Sequence, residues 1–249
     1  MIDTHCHLTD PQFHSDLDQV LERARAAGLT KIINAGYDLA TSRTAVEQHR
    51  IHEWLLPAVG IHPNEAAAET IKDLGPVEEI LKSDKIYAVG ETGLDYFRDY
   101  ASKDDQKDLF IQHIRLARKY SLPLLIHTRN SIDDAILVLK EEKFYRGVFH
   151  CFSGTQDQAR QITNMGFYLG FGGVLTFSKQ TREVFRVMPW ERILLETDAP
   201  FLPPQGHRGQ RNEPAYIAET LRAAGQLLNR PVEALEKIFE RNASELFAI

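Results

Sequence analysis

At 249 residues the chain is long for an average domain but normal for one α/β barrel. Apolar residues at 43% supply a large core and charged residues at 26% an ordinary solvated surface, which together exclude a disordered chain. The net charge of −6 argues against a tight passive binder of nucleic acid, so an enzyme acting on a phosphate polymer would need bound metals and a few local Arg or Lys to supply positive field.

The N-terminal stretch Met1-Ile2-Asp3-Thr4-His5 has no basic segment and no apolar signal core, and no run of about 18 apolar residues occurs. The expectation is a soluble, cytoplasmic protein with no membrane partner and no obligate protein partner. The two cysteines, Cys6 and Cys151, make no disulfide framework and read as buried core thiols.

In chain order, short β-branched runs alternate with stretches of helical period. Candidate strands are Ile2 to Cys6, Lys31 to Ala35, Leu55 to Ile61, Ile86 to Gly90, Leu122 to Ile126, Val148 to His150, Phe167 to Phe171 and Arg192 to Glu196. Several are nearly continuous apolar runs, as a parallel sheet covered by helices requires. Between them, Leu17, Val20, Leu21 and Ala24 recur at helical spacing after Ser15, a candidate N-cap, and Gly28 ends that helix. Phe110, Ile114 and Ala117 form a second stripe. Ile132, Ala135, Ile136 and Leu139 form a third, capped by Asn130 or Ser131. Ala159, Ile162 and Met165 form a fourth, closed by Gly166. Val232, Leu235, Ile238 and Phe239 form a fifth, after Pro231. Eight strands alternating with helices at this length predict a single-domain α/β fold, a (β/α)8 TIM barrel over 1–249 with its site at the C-terminal rim of the strands. No G-x-G-x-x-G turn follows the first strand to favour an open doubly wound sheet.

The chemistry-bearing residues fall at strand ends. His5 and His7 close strand one, Glu91 strand four, His127 strand five, His150 strand six and Asp198 strand eight. In a barrel these positions converge on one rim, and the period-two rule puts His5 and His7 on one side. Taken singly, each has a bland reading: a hydrogen-bonded His, a capping carboxylate, or a turn before Ala199-Pro200. Together, four imidazoles and two carboxylates crowded at one rim call for a cation. The set fits two divalent ions roughly 3.5–4 Å apart, with Glu91 placed to bridge and Asp198 to accept a proton from the attacking water. Mixed His and carboxylate ligands suit Zn, Mn, Ni or Fe, with Mg serving in part.

Lesser residues keep two readings. His62, before Pro63 at the end of strand three, is a strand-end His in a turn or a donor to a phosphate oxygen. Arg129 contacts phosphate or pairs with an exposed carboxylate. Arg208 and Arg211, in the loop after strand eight, track the substrate backbone or anchor the loop. Asn212-Glu213-Pro214 reads as a cap of the next helix. Gly172-Gly173 leaves room for a ligand to approach the backbone. Tyr96 and Phe97 stack a base or pack in the core.

Seven segments carry a resemblance that spans nearly the whole chain: Ile2-Asp3-Thr4-His5-Cys6-His7-Leu8, Gly60-Ile61-His62-Pro63, Gly90-Glu91-Thr92-Gly93-Leu94-Asp95-Tyr96, Leu125-Ile126-His127-Thr128-Arg129, His150-Cys151-Phe152-Ser153-Gly154, Glu196-Thr197-Asp198-Ala199-Pro200-Phe201-Leu202 and Arg208-Gly209-Gln210-Arg211-Asn212-Glu213-Pro214. In these the chain resembles the TatD-type DNases of the amidohydrolase superfamily. The resemblance implies a (β/α)8 barrel with one ion on His5, His7, Glu91 and Asp198 and the other on Glu91, His127 and His150. It implies that His62 lines the site near the scissile phosphate. The activity implied is hydrolysis of DNA, often from a 3′ end of a single strand, with some members acting on RNA. The rival expectation is a two-metal amidohydrolase cutting another ester or amide, such as an aminoacyl ester or a lactone, because fold and ligands do not choose a substrate. Glu91 stands where a carbamylated Lys would bridge in that rival.

Overall fold

The computed structural model describes residues 1–66 and 74–249. Eight parallel strands run in sequence order around one sheet: β1 (Ile2–Cys6), β2 (Lys31–Ala35), β3 (Leu55–Val59), β4 (Ala88–Asp95), β5 (Leu124–Arg129), β6 (Gly147–Phe149), β7 (Tyr168–Phe171) and β8 (Ile193–Leu195). The circle closes just beyond β8. There Asp198 N–H donates to the His5 carbonyl at 2.9 Å and His7 N–H to the Ala199 carbonyl at 2.8 Å. The chain is therefore the expected (β/α)8 barrel in a single domain.

Helices α1 (Leu17–Ala26), α2 (Leu39–Ile51), α3 (Gly75–Ser83), α4 (Lys103–Tyr120), α5 (Ile132–Glu141), α6 (Gln156–Asn164), α7 (Lys179–Val187) and α8 (Ile217–Leu228) surround the sheet. A ninth, α9 (Val232–Phe247), follows α8 directly. One cap residue differs from the sequence reading, and another stands where expected but does not cap with its side chain. Asp16, not Ser15, precedes α1, with no side-chain cap bond. Ser131 precedes α5, but its hydroxyl donates to the Leu94 carbonyl at 2.5 Å and accepts from Arg129 N–H, tying the α5 entry to β4 and β5. No helix among the described residues is long and apolar enough to cross a membrane.

The strand faces sort the core into two shells. Ile2, Ile33, Leu56, Leu125, Val148 and Leu194 share the barrel interior with Leu246 and Phe247, which plug it from the end of α9. Their neighbours Ile32, Leu55, Val59, Leu124, Phe149 and Ile193 pack under the helices. Strict alternation would then turn His5 outward, because it lies an odd number of residues from the inward Ile2. A register shift in the β1–β2 pairing between Asp3 and Cys6 removes the conflict, so His5 faces the mouth and Cys6 the helices. The β4–β5 pairing shifts likewise between Val89 and Thr92, turning Glu91 inward beyond the inward Ala88.

Those shifts explain why β4 differs from the expected Ile86–Gly90. Its sequence is broken by glycines, so its apolar run ends early, yet the strand continues to Asp95. Gly90 adopts φ +147° and a Cβ there would stand 2.6 Å from the Leu125 carbonyl oxygen, while one on Gly93 would run into the His127 carbonyl. Only glycine lets β4 lie this close to β5. Glu91 and His127 therefore sit inside strands rather than at their ends, and Asp198 lies past the end of β8.

One buried histidine belongs to the fold rather than the mouth. His113 of α4 accepts from Ile61 N–H at 3.0 Å through Nε2 and donates from Nδ1 to the Leu109 carbonyl at 2.9 Å, fixing the chain that enters His62. Burial lowers its pKa from 6.5 to about 4. The folded state thus holds His113 neutral, and the unfolded chain binds the proton first. Its contribution is complete above about pH 6.5 and is lost as pH falls toward 4, which amounts to about 2 kcal/mol between pH 7 and pH 5. Urea unfolding of His113→Gln at those two pH values should show a smaller acid loss than the parent by about that amount; identical losses would remove His113 from the acid response.

Candidate metal centre and active site

Six side chains reach the barrel mouth from five elements, and Glu91 stands between them. On one side, His5 Nε2 and His7 Nε2 lie 3.0 Å apart. Glu91 Oε2 is 3.5 Å from the first and 3.2 Å from the second. Asp198 Oδ1 is 3.7 Å and 3.5 Å from the same two nitrogens. On the other side, Glu91 Oε1 lies 2.9 Å from His127 Nδ1 and 2.8 Å from His150 Nε2, which are 3.3 Å from each other. The two carboxylate oxygens of one residue thus face two donor sets. The mouth brings together every residue expected to ligate metal.

The donors fit a cation. Ions with bonds of about 2.1 Å hold their ligand atoms about 3.0–3.4 Å from one another, close to the separations found here. Two imidazole nitrogens facing each other beside two carboxylates cannot satisfy one another by hydrogen bonds alone. The site also attracts positive charge. Burial opposes protonation of His7, yet the Asp198 and Glu91 carboxylates outweigh it and hold the His7 pKa up to about 10. Burial likewise opposes charge on His127, and Asp95 and Glu91 hold it up to about 9. His5, by contrast, is pushed down to about 4 by burial and by its neighbour His150, whose ring stacks on it at 3.9 Å. Burial disfavours the charge on Glu91, but the surrounding imidazoles keep it well below the usual carboxylate range. A cation at either set satisfies donors that protons satisfy only in part. Further clusters that could hold an ion among the described residues are His5 with His150 and Asp198, and His62 with Asp95 and His127; they reuse the same atoms' neighbourhood.

His62 is oriented for donation. Its Nδ1 accepts from Asn64 N–H at 3.0 Å, and its Nε2 lies 3.6 Å from Glu91 Oε1. Burial and the adjacent His127 lower its pKa to about 3, so the ring is neutral and carries its proton on Nε2.

A supporting layer went unassigned in the sequence. Asp3 is fully buried; its carboxylate accepts from Thr197 Oγ1–H at 2.5 Å, Thr197 N–H at 2.9 Å and His5 N–H at 3.2 Å. It therefore ties β1 to the segment that carries Asp198, while burial lifts its pKa to about 7. Glu196 accepts from Cys151 N–H just after His150, and burial raises its pKa well above the usual range. Asn212, read as part of a helix cap, instead donates to the carbonyls of Thr197 at 2.7 Å and Phe201 at 2.6 Å, bracing the loop after β8. Pro214 does open the next helical turn. Cys6 is buried as expected, whereas Cys151 is partly exposed because its backbone turns at φ 46° onto the rim. Gly173 gives its space to the chain itself, since a Cβ would stand 2.6 Å from the Leu202 carbonyl.

The three arginines separate. Arg211 pairs with Asp16 at 2.7 Å and Glu213 at 2.9 Å and also donates to the Gln12 carbonyl, so its guanidinium anchors the loop and is not available to a substrate. Arg129 and Arg208 are exposed, packed over Phe97 at 3.7 Å and Phe177 at 5.0 Å, and form no ion pair among the described residues.

Asp95 shows how the second donor set is aimed. It is buried, and its Oδ2 accepts from His127 Nε2–H at 3.2 Å, which leaves Nδ1 as the nitrogen facing Glu91 and His150. Its Oδ1 accepts from Phe97 N–H at 2.9 Å and Arg98 N–H at 3.1 Å. Losing such a partner weakens metal binding about 10- to 100-fold. Asp95→Asn, titrated with Zn2+ or Mn2+ against a chromophoric chelator, should bind metal at the His127 side more weakly by that factor while the loop stays in place. Unaltered affinity would limit Asp95 to holding the loop.

The family model described as TatD related DNase matches residues 2–248. The chain is 39% identical to an uncharacterized metal-dependent hydrolase, YabD, of Bacillus subtilis, covering 100% of this chain and 99% of that one. It is 31% identical to the 3′-5′ ssDNA/RNA exonuclease TatD of Cronobacter sakazakii, over 99% of this chain and 97% of that one. The solved structure of YjjV, a TatD homolog from Escherichia coli, superposes with a TM-score of 0.95 at 32% identity, covering 100% of this chain and 98% of that chain. The chain belongs to the TatD-related DNase family of metal-dependent hydrolases.

Proposed function

We propose that this protein hydrolyses phosphodiester bonds in nucleic acid, working on single-stranded DNA from an end, with two divalent cations in the barrel mouth. The observation that carries this reading is Glu91, whose two oxygens each face a separate set of imidazoles at 2.8–3.5 Å. A carboxylate shared in this way is the arrangement that two-ion phosphoryl hydrolases use. The relative named as a 3′-5′ ssDNA/RNA exonuclease supports the substrate class.

His5, His7, Glu91 and Asp198 would hold one ion, and Glu91, His127 and His150 the other. Such ions supply positive charge to the phosphate oxygens and make water a stronger acid. Asp198 is the proton acceptor. Burial disfavours its charge, yet the hydrogen bond to His7 and the other imidazoles keep it ionised below the usual range, ready to take a proton from attacking water. His62 donates from Nε2 to a non-bridging oxygen of the phosphate and fixes the phosphorus relative to Glu91. Arg129, at the end of β5, and Arg208, in the loop after β8, meet flanking phosphates.

The test is cleavage of an end-labelled single-stranded oligonucleotide, with and without chelator. The parent should shorten the strand, lose activity on metal removal and regain it with Mn2+ or Zn2+. Glu91→Gln and Asp198→Asn should each lower the rate at least about 1,000-fold with the fold intact by circular dichroism. His62→Ala should cost about 10- to 100-fold. Full activity in Glu91→Gln would refute the shared-carboxylate mechanism, and a chelator-insensitive nuclease would refute the role of metal.

A further inference from the structure

The loop between β4 and α4 carries side chains that the metal centre does not use. Phe97 is 55% exposed and Tyr100 is 59% exposed, although rings of this size are normally withdrawn from water. The Arg129 guanidinium lies 3.7 Å from the Phe97 ring centroid. Arg98 lies 5.7 Å from the same ring and 5.8 Å from Tyr100. Lys103 covers Tyr96 at 4.3 Å. Arg98 and Arg129 form no ion pair among the described residues, while the nearby Asp134 is engaged by Tyr96 and Lys107 and Asp95 by backbone N–H groups and His127. On a chain of net charge −6 these are two guanidiniums without an ion-pair partner among the described residues, set among exposed aromatic rings.

The patch is tied to the centre by hydrogen bonds. Asp95 grips the backbone of Phe97 and Arg98 through one oxygen and the ring of His127 through the other. Arg129 follows His127 by two residues on β5, and its carbonyl accepts from Tyr96 N–H at 2.8 Å. At strand rise, two residues place Arg129 about 7 Å from His127 along the chain, the scale of one nucleotide. Aromatic rings with guanidinium planes and free positive charge are what unpaired bases stack upon, while their phosphates pair with the cations. An acidic peptide would match the charge but not the flat rings laid open beside it.

We infer that Phe97, Arg129, Arg98 and Tyr100 form a stacking platform for the nucleotide adjoining the scissile phosphate, and that it selects single-stranded nucleic acid over duplex. This rests on the phosphodiesterase reading above and adds to it the subsite that chooses the substrate. A base in a duplex is already stacked and has no free face to offer.

The experiment compares a single-stranded oligonucleotide with bis(p-nitrophenyl) phosphate, a phosphodiester without bases, on the metal-loaded enzyme. Phe97→Ala and Arg129→Ala should raise KM for the oligonucleotide about tenfold or more, with losses on the small diester at least fivefold smaller. Phe97→Trp should restore the oligonucleotide KM. Arg129→Ala, but not Phe97→Ala, should flatten the salt dependence of oligonucleotide binding by about 0.7 in log–log slope. Metal content per chain, measured in parallel, should match the parent in every variant. Equal losses on both substrates, or no rise in KM for either variant, would overturn the platform alone. A parent that cuts the small diester but no oligonucleotide would overturn the platform and the nucleic-acid reading together, and a parent that cuts neither would remove the phosphodiesterase reading on which both stand.

Discussion

Everything at the mouth depends on one carboxylate being placed between two groups of histidines. Glu91 is buried, and charge on a buried carboxylate is costly unless positive charge surrounds it. Four imidazoles lie within 3.5 Å of its two oxygens. They in turn need a cation or protons to stand so close to one another. Acid and bases are thus mutually dependent, and neither half of the cluster is a stable buried arrangement without positive charge between them.

The backbone solves the placement with local irregularity. A regular β1 and a regular β4 would each send a key side chain to the wrong face; a register shift in each strand corrects the parity. Glycines on β4 permit the close approach to β5 that brings Glu91 to His127. Buried polar braces then fix the result. Asp3 locks His5 to Thr197, Asn212 locks the segment after β8, and Asp95 sets the ring of His127 while holding the loop that carries Phe97. The same carboxylate therefore joins a candidate metal ligand to the loop proposed to receive a base, so the proposed chemistry and the proposed recognition share one hydrogen-bonded support.

Much of this was legible in the sequence. Apolar runs marked all eight strands, and the recurrence of His and acid at their ends marked the mouth, because a parallel barrel gathers strand ends on one rim. Where reading fell short, the causes are physical. The extent of β4 was hidden because glycine, which ends an apolar run in sequence, was there to allow close packing. Asp95 and Asp3 lay in plain view within their motifs, but a carboxylate bonded to a backbone N–H or an imidazole has no spacing signature of its own. Arg211 was ambiguous because its partners, Asp16 and Glu213, meet only after α1 folds against the loop beyond β8. The exposure of Phe97 and the burial of Phe13 or Phe110 cannot be told apart from composition; only the three-dimensional surface separates them.

The most direct measurement is anomalous diffraction from crystals grown with manganese. Two anomalous peaks are expected, one on each side of the Glu91 carboxylate, the first among His5, His7 and Asp198 and the second between His127 and His150. A single peak, or peaks that leave Glu91 without contact to both, would contradict the shared carboxylate on which the rest is built.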